Sequence, residues 1–176
     1  MSAATRTKFT PLQRGLHWLM AVCILSMLFI GVGMVSTVKP THLALLSVHK
    51  PLGMVILILA LVRLAVRWRR GTPPLPPELP EPLRLAAHLS HYALYALMIG
   101  MPLIGWSMLS AADIPVIVFG IHLPAILPPD PAIHAALRAW HTYLAFVLFA
   151  LIIMHLAAAL FHGLIRKDGV FSSMAV

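Results

Sequence analysis

Apolar positions in this chain run on without alternation. Four long apolar runs, near 15–36, 48–68, 84–110 and 137–165, are separated by short polar or proline-rich stretches. Each is long enough to cross the roughly 30 Å hydrocarbon layer, which takes about 20 residues of helix. Lipid admits only helices or closed barrels as spanning structures. The runs show no period of two, so they are expected as helices. The expected fold is an all-α membrane protein, a bundle of four antiparallel transmembrane helices forming one domain over 1–176. A fifth run, "IPVIVFGIHLPAIL" at 114–127, is short and broken by Pro115 and Pro124. It is expected as an interfacial or folded-back loop. The prolines of "RRGTPPLPPELPEP" cannot continue a helix and give a stiff connector between the second and third segments. The first segment has the basic start of a signal peptide. Its apolar part is too long for one, and "VGMVSTV" is a poor cleavage site, so it is expected as a retained helix.

Composition agrees with lipid as the solvent. Of 176 residues, 60% are hydrophobic and 10% charged, and the mean hydropathy is +0.92. A soluble domain carries about 25% charged residues. The net charge of +8 raises the question of nucleic acid, and its distribution answers it. Arg6, Lys8, Arg14, Arg63, Arg67, Arg69, Arg70, Arg84, Arg166 and Lys167 fall on one side of the expected bundle, and only Lys39, Lys50 and Arg138 on the other. By the positive-inside rule both termini are cytoplasmic. The basic excess is topology, and no nucleic-acid groove is implied. Cys23 is the single cysteine. No internal disulfide, covalent haem motif or four-cysteine cluster site is available.

Histidine is the unusual feature, with ten in the chain. His17, His49, His141 and His155 sit within spanning segments near their ends. His141 and His155 are fourteen residues apart, within about 40° of four full turns and about 21 Å along the axis. They face the same way, one near each membrane surface. His49 lies at the outer end of the second segment, level with His141, and His17 at the cytoplasmic end of the first, on the side of His155. Two cross-bundle pairs result, His49 with His141 and His17 with His155. By depth His162 is a rival partner for His17. A separation of about 32 Å from His141 would place the sites at the extreme membrane edges, so His155 is preferred. Facing imidazoles are a usual way to hold a cofactor in a bundle core, and two bis-histidine b-type haems are the natural filling. Zinc is a weaker reading, because no carboxylate or thiolate joins the pairs. A purely structural role as interhelical hydrogen bonders is the alternative.

Other residues leave two readings open. Arg63 lies fourteen residues after His49 on the same face, either paired with haem propionates or snorkelling to the cytoplasmic surface. Gly53 either admits a flat macrocycle or serves helix packing. His88 and His91, at i and i+3, either line a quinone pocket or bond a propionate, or are structural. His42, His122 and His134 are read as solvated loop residues.

The pieces "LHWLM" (16–20), "VHKPLG" (48–53) with "LVRLAVR" following, "AHLSHYALY" (87–95), "MPLIGW" (101–106), "FG" (119–120), "WHTYLA" (140–145) and "MHLAAALFH" (154–162) run in one order over nearly the whole chain. In this the chain resembles the prokaryotic cytochrome b-561 family of four-helix di-haem membrane proteins. The resemblance implies axial ligands at His17, His49, His141 and His155, and the family's helix-two arginine at Arg63. It implies electron transfer between the quinone pool of the bacterial inner membrane and a donor at the outer surface. In its best-understood form this is superoxide oxidation coupled to reduction of ubiquinone. Superoxide is an anion, and Lys50 and Arg138 beside the outer pair, with Lys39, are candidates to steer it; ordinary interfacial anchoring is the alternative. His162, two turns past His155, is a candidate for quinone or a propionate. Two other functions stand beside this one: a haem-bearing anchor passing electrons from a dehydrogenase or hydrogenase subunit to quinone, and a non-redox helical scaffold or transporter.

Overall fold

The computed structural model describes residues 7–38 and 40–175. Four long helices dominate: α1 (Pro11–Ser36), α2 (Thr41–Arg70), α3 (Glu81–Ala111) and α4 (Pro131–Leu160). All four are long and apolar enough to cross a membrane. A two-stranded antiparallel hairpin, β1 (Val116–Val118) and β2 (Ile121–Leu123), lies between α3 and α4. A π-helical turn (Phe161–Arg166) continues α4, and a short helix α5 (Val170–Met174) follows.

The helices overrun the apolar segments, because capping chemistry sets their ends and hydropathy does not. Thr10 and Gln13 form a reciprocal capping box at α1, with Pro11 in the first turn, which satisfies two amides that a helix start leaves unpaired. Asp130 caps α4 six residues or so before the apolar run begins, accepting from the Ala132 and Ile133 amides at 2.8 and 3.0 Å. α2 starts directly after Pro40 and α3 after Pro80. The 114–127 loop does fold back, as the hairpin. Its turn places Phe119 at φ 50° and Gly120 at φ 81°, the left-handed pair that a tight two-residue hairpin demands. Val116 pairs with Leu123 and Val118 with Ile121. Trp106 Nε1 donates to the Pro124 carbonyl and the Asp130 amide to that of Ala111, which straps the connection onto the end of α3.

α1 packs most extensively on α2 and α3 on α4, with α2 against α3 between them. Met20, Ala60, Tyr95 and Met98 form the buried cluster, all from α1 to α3. α4 buries no residue at all. Neither α1 with α4 nor α2 with α4 packs closely backbone to backbone. At one end Gln13 Nε2 donates to the Gly71 carbonyl, Arg14 to that of Ala175 and Trp18 to that of Met174. The start of α1, the end of α2 and the C-terminal segment therefore share one end of the bundle. The hairpin occupies the other.

Candidate functional site

The two gaps left by helix packing, α1 to α4 and α2 to α4, are bridged by imidazoles. His17 on α1 faces His155 on α4 with ring centres 6.3 Å apart, inclined at 68°. His49 on α2 faces His141 on α4 at 6.2 Å and 64°. Both pairs expected from spacing are thus brought together, one near each end. The Nδ1 atoms of His17, His49 and His141 are buried with no hydrogen-bond partner. A buried donor or acceptor left so costs about 1–3 kcal/mol. Neutral imidazole is also the commonest protein ligand to a transition metal.

Around the His17–His155 pair the structure gathers more than spacing indicated. His91 on α3 meets His155 edge-on, ring centres 5.7 Å apart. Its helix neighbour His88 is exposed. The Arg63 guanidinium lies 5.7 Å from the centre of the buried Tyr95 ring and that of Arg67 lies 6.0 Å from it. Neither arginine has a carboxylate partner among the described residues. Arg63 therefore lies on the inward face of α2, its charge acting on both His17 and His155, and Arg67 beside it acts on His91.

Around His49–His141 the surroundings are smaller. A Cβ on Gly105 of α3 would lie 3.4 Å from His141 Cε1 and 3.7 Å from its Nδ1. Gly105 therefore makes room for the ring. The sequence shows it only as a glycine inside "MPLIGW", with nothing to set it apart from helix-packing glycines. The space beside Gly53 is bounded by Met27, 3.8 Å from a Cβ placed there. Lys50 is half-buried and Arg138 exposed, and neither makes an ion pair among the described residues. Arg138 borders a shallow groove of about 410 Å³ with His134, Thr142 and Tyr143. Lys39 and Arg6 lie outside the described residues.

Four further histidines stand apart from the two pairs. His42 and His134 sit in the first turns of α2 and α4, where their Nδ1–H groups donate to the carbonyls of Met34 and Met108 at 2.9 and 3.0 Å. Each pins its helix start to the preceding helix. His122 is exposed on β2. His162 lies in the π-helical turn, and its Nδ1–H donates to Asp168 Oδ2 at 2.6 Å.

Comparison with known proteins agrees with this architecture. The model of a family described as prokaryotic cytochrome b561 matches residues 8–175. The chain is 28% identical to "Probable superoxide oxidase CybB" of Yersinia pestis, covering 95% of both chains. It is 32% identical to "Cytochrome b561 homolog 2" of Escherichia coli (strain K12), over 97% of this chain and 92% of that one. It is 26% identical to "Cytochrome b561 homolog 1" of the same organism, over 95% and 96%. A four-helix membrane bundle with paired imidazoles, matched over almost its full length, belongs to the prokaryotic cytochrome b561 family of haem b membrane electron-transfer proteins.

Proposed function

We propose that this chain is a di-haem b cytochrome of the bacterial inner membrane that takes electrons from superoxide at the outer surface and passes them to ubiquinone. His49 and His141 hold the outer haem, and His17 and His155 the inner one. The observation that carries this reading is the spacing of the two imidazole pairs. A ring nitrogen bonded to a transition metal stands about 2 Å from it, so two rings facing one ion have their centres roughly 6 Å apart. Both pairs, at 6.2 and 6.3 Å, fit. They also bridge helices that do not pack closely on one another. When bound, haem would supply one-electron exchange, and His17, His49, His141 and His155 are the residues that would hold it.

The chain's own residues complete the reading. Arg63 and Arg67, without carboxylate partners, suit the propionates of the inner group, and both guanidiniums lie over the Tyr95 ring, 5.7 and 6.0 Å from its centre. His91 packs beside His155 and fixes the orientation of that imidazole. Gly105 keeps a close wall free of side chain at His141. Lys50 and Arg138 supply positive charge at the outer end, and an anion approaching that end is drawn to it. The single domain of 1–176 has its cationic end, with both termini, in the cytoplasm. The reaction balances as two superoxide anions giving two dioxygen molecules and two electrons, with one quinone taking those electrons and two protons to give quinol.

The test is a reduced-minus-oxidised spectrum of the purified protein with haem quantified per chain, followed by superoxide addition with and without ubiquinone. The expected result is two b-type haems per chain, reduced by superoxide and re-oxidised by quinone. A colourless protein overturns the ligand assignment. Two haems that superoxide does not reduce leave the cytochrome and remove the donor. In that case copurification with a large catalytic subunit identifies the anchor function.

A further inference from the structure

Beyond α4 the chain does something that electron transfer does not need. The α-helix widens into the π-helical turn Phe161–Arg166, a local geometry frequent at functional sites. Lys167 at φ 52° and Gly169 at φ 84° then reverse the chain, and Asp168 swings back onto the turn it has just left. Its Oδ2 accepts from His162 Nδ1 at 2.6 Å and from Arg166 Nε at 3.3 Å. Its Oδ1 accepts from the Val170 amide at 3.3 Å. The reversal is held from outside. Phe171 packs so closely on Gly163 that a Cβ there would meet it at 2.9 Å. The Phe9 amide donates to the Ser173 carbonyl, and Arg14 and Trp18 bind those of Ala175 and Met174.

A shallow groove of about 600 Å³ runs beside this turn along the lipid side of α4, lined by Met154, Ala157, Ala158, Phe161, Leu164 and Ile165. The Phe161 ring meets His162 edge-on, with centres 6.0 Å apart. The groove is lined by apolar side chains alone, and His162, packed on its Phe161, is the neighbouring polar group, an arrangement that suits a ligand with an apolar chain and a polar head. His162 is two turns beyond His155, about 10 Å along the axis.

We infer that Asp168 is a positioning residue that holds His162 to deliver protons to quinone at the inner membrane surface, with the isoprenoid chain in the α4 groove. This rests on the quinone-reducing function proposed above. Quinone reduction consumes two protons, and inside lipid a side chain must carry them. Which ring nitrogen of a histidine is free is set by the bond the other makes. With Nδ1–H committed to Asp168, Nε2 is the nitrogen that meets a quinone oxygen. It passes its proton there and is reloaded from the cytoplasmic water beside the turn. Burial alone would raise the Asp168 pKa. The hydrogen bond from His162, the Val170 amide and the nearby charges outweigh it and hold the carboxylate below its usual range. Asp168 is therefore an anion at neutral pH and accepts from His162 throughout.

The experiment uses the haem-loaded protein in liposomes, reduced with dithionite and mixed with ubiquinone-1 while haem re-oxidation is followed. Asp168→Asn is expected to retain two haems and to slow re-oxidation by roughly tenfold or more, part of the 10²–10⁴-fold that a positioned general acid typically contributes. Asp168→Glu restores most of the rate. Nitrogen-15 NMR of the reduced protein shows His162 protonated at Nδ1, and Asp168→Asn weakens that preference. Glu81→Gln removes an exposed carboxylate at the start of α3, paired with Arg84 and with no part in the turn, and is expected to leave the rate unchanged. Wild-type re-oxidation by Asp168→Asn overturns the inference, as does equal slowing by Glu81→Gln. Failure of quinone to re-oxidise the unmodified protein overturns the proposed function along with it.

Discussion

Gly105→Val isolates one of the proposed haem sites by geometry alone. A Cβ at this position already stands 3.4 Å from His141 Cε1, close to the contact distance of about 3.5 Å between carbons. Valine adds two methyl groups about 1.5 Å further out, and in a helix its χ1 is nearly fixed, so both cannot turn away. The imidazole must then retreat by roughly 1.5 Å, or α3 and α4 must part by as much. A metal–ligand bond tolerates about 0.2 Å. On the proposed assignment, the His141–iron bond therefore breaks while the inner pair is untouched. Haem should fall from two per chain to one, and the electron paramagnetic resonance signal of one low-spin centre should vanish. Gly105→Ala is the control. Its methyl makes an ordinary contact, and alanine favours the helix over glycine by about 1 kcal/mol. It should keep both haems with unchanged or slightly raised thermal stability. Gly105→Val with two intact low-spin haems would refute the placement of the outer site at His141.

Other outcomes follow from the same geometry. His49→Ala should remove the outer haem and His17→Ala the inner one, each leaving about one haem per chain with a distinct midpoint potential in a redox titration. Joint replacement of Lys50 and Arg138 by Gln should slow superoxide oxidation several-fold at low salt and flatten its ionic-strength dependence; unchanged kinetics would remove the steering role. Asp168 has a depressed pKa in the fold, so its contribution is present above the ordinary carboxylate pKa of about 4 and lost as pH falls through the lower folded value. Its neighbours are His162, Arg166 and the Val170 amide. Proteolysis of the C-terminal segment should accelerate only below about pH 4, and Asp168→Asn should abolish that acid step.

Hydropathy marked the four spans because lipid forces a long apolar run, and it misjudged their ends because caps lie outside lipid. Asp130, Thr10 and the prolines carried that information in the sequence. The histidine pairs were legible from depth and rotation, since a straight helix fixes both. Residues whose roles depend on side-chain contact across elements were not. Gly105 matters only because His141 comes opposite it. His91 could not be separated from His88 until α3 was seen to turn one toward His155 and leave the other exposed. Asp168 was missed because its contact with His162 depends on the reversal at Lys167 and Gly169. The only trace of that reversal is a "KDG" after the last helix.

The packing of α4 ties the cofactor to the fold. The buried cluster is made by α1, α2 and α3, and α4 contributes no buried residue. α4 rests on α3 and reaches α1 and α2 through His155 and His141. Each proposed haem takes one ligand from α4 and one from the core helices, so each haem is also a clamp. A ligand at a thousand times its dissociation constant stabilises the state that binds it by about 4 kcal/mol, and two clamps act on the same helix. Removing haem should therefore loosen the bundle unequally. In haem-depleted protein held in nanodiscs, hydrogen exchange should rise first in α4, residues 131–160, while α1 to α3 stay protected. Re-adding haem should restore α4. Uniform loosening of all four helices would mean that the core, and not the histidines, holds α4 in place.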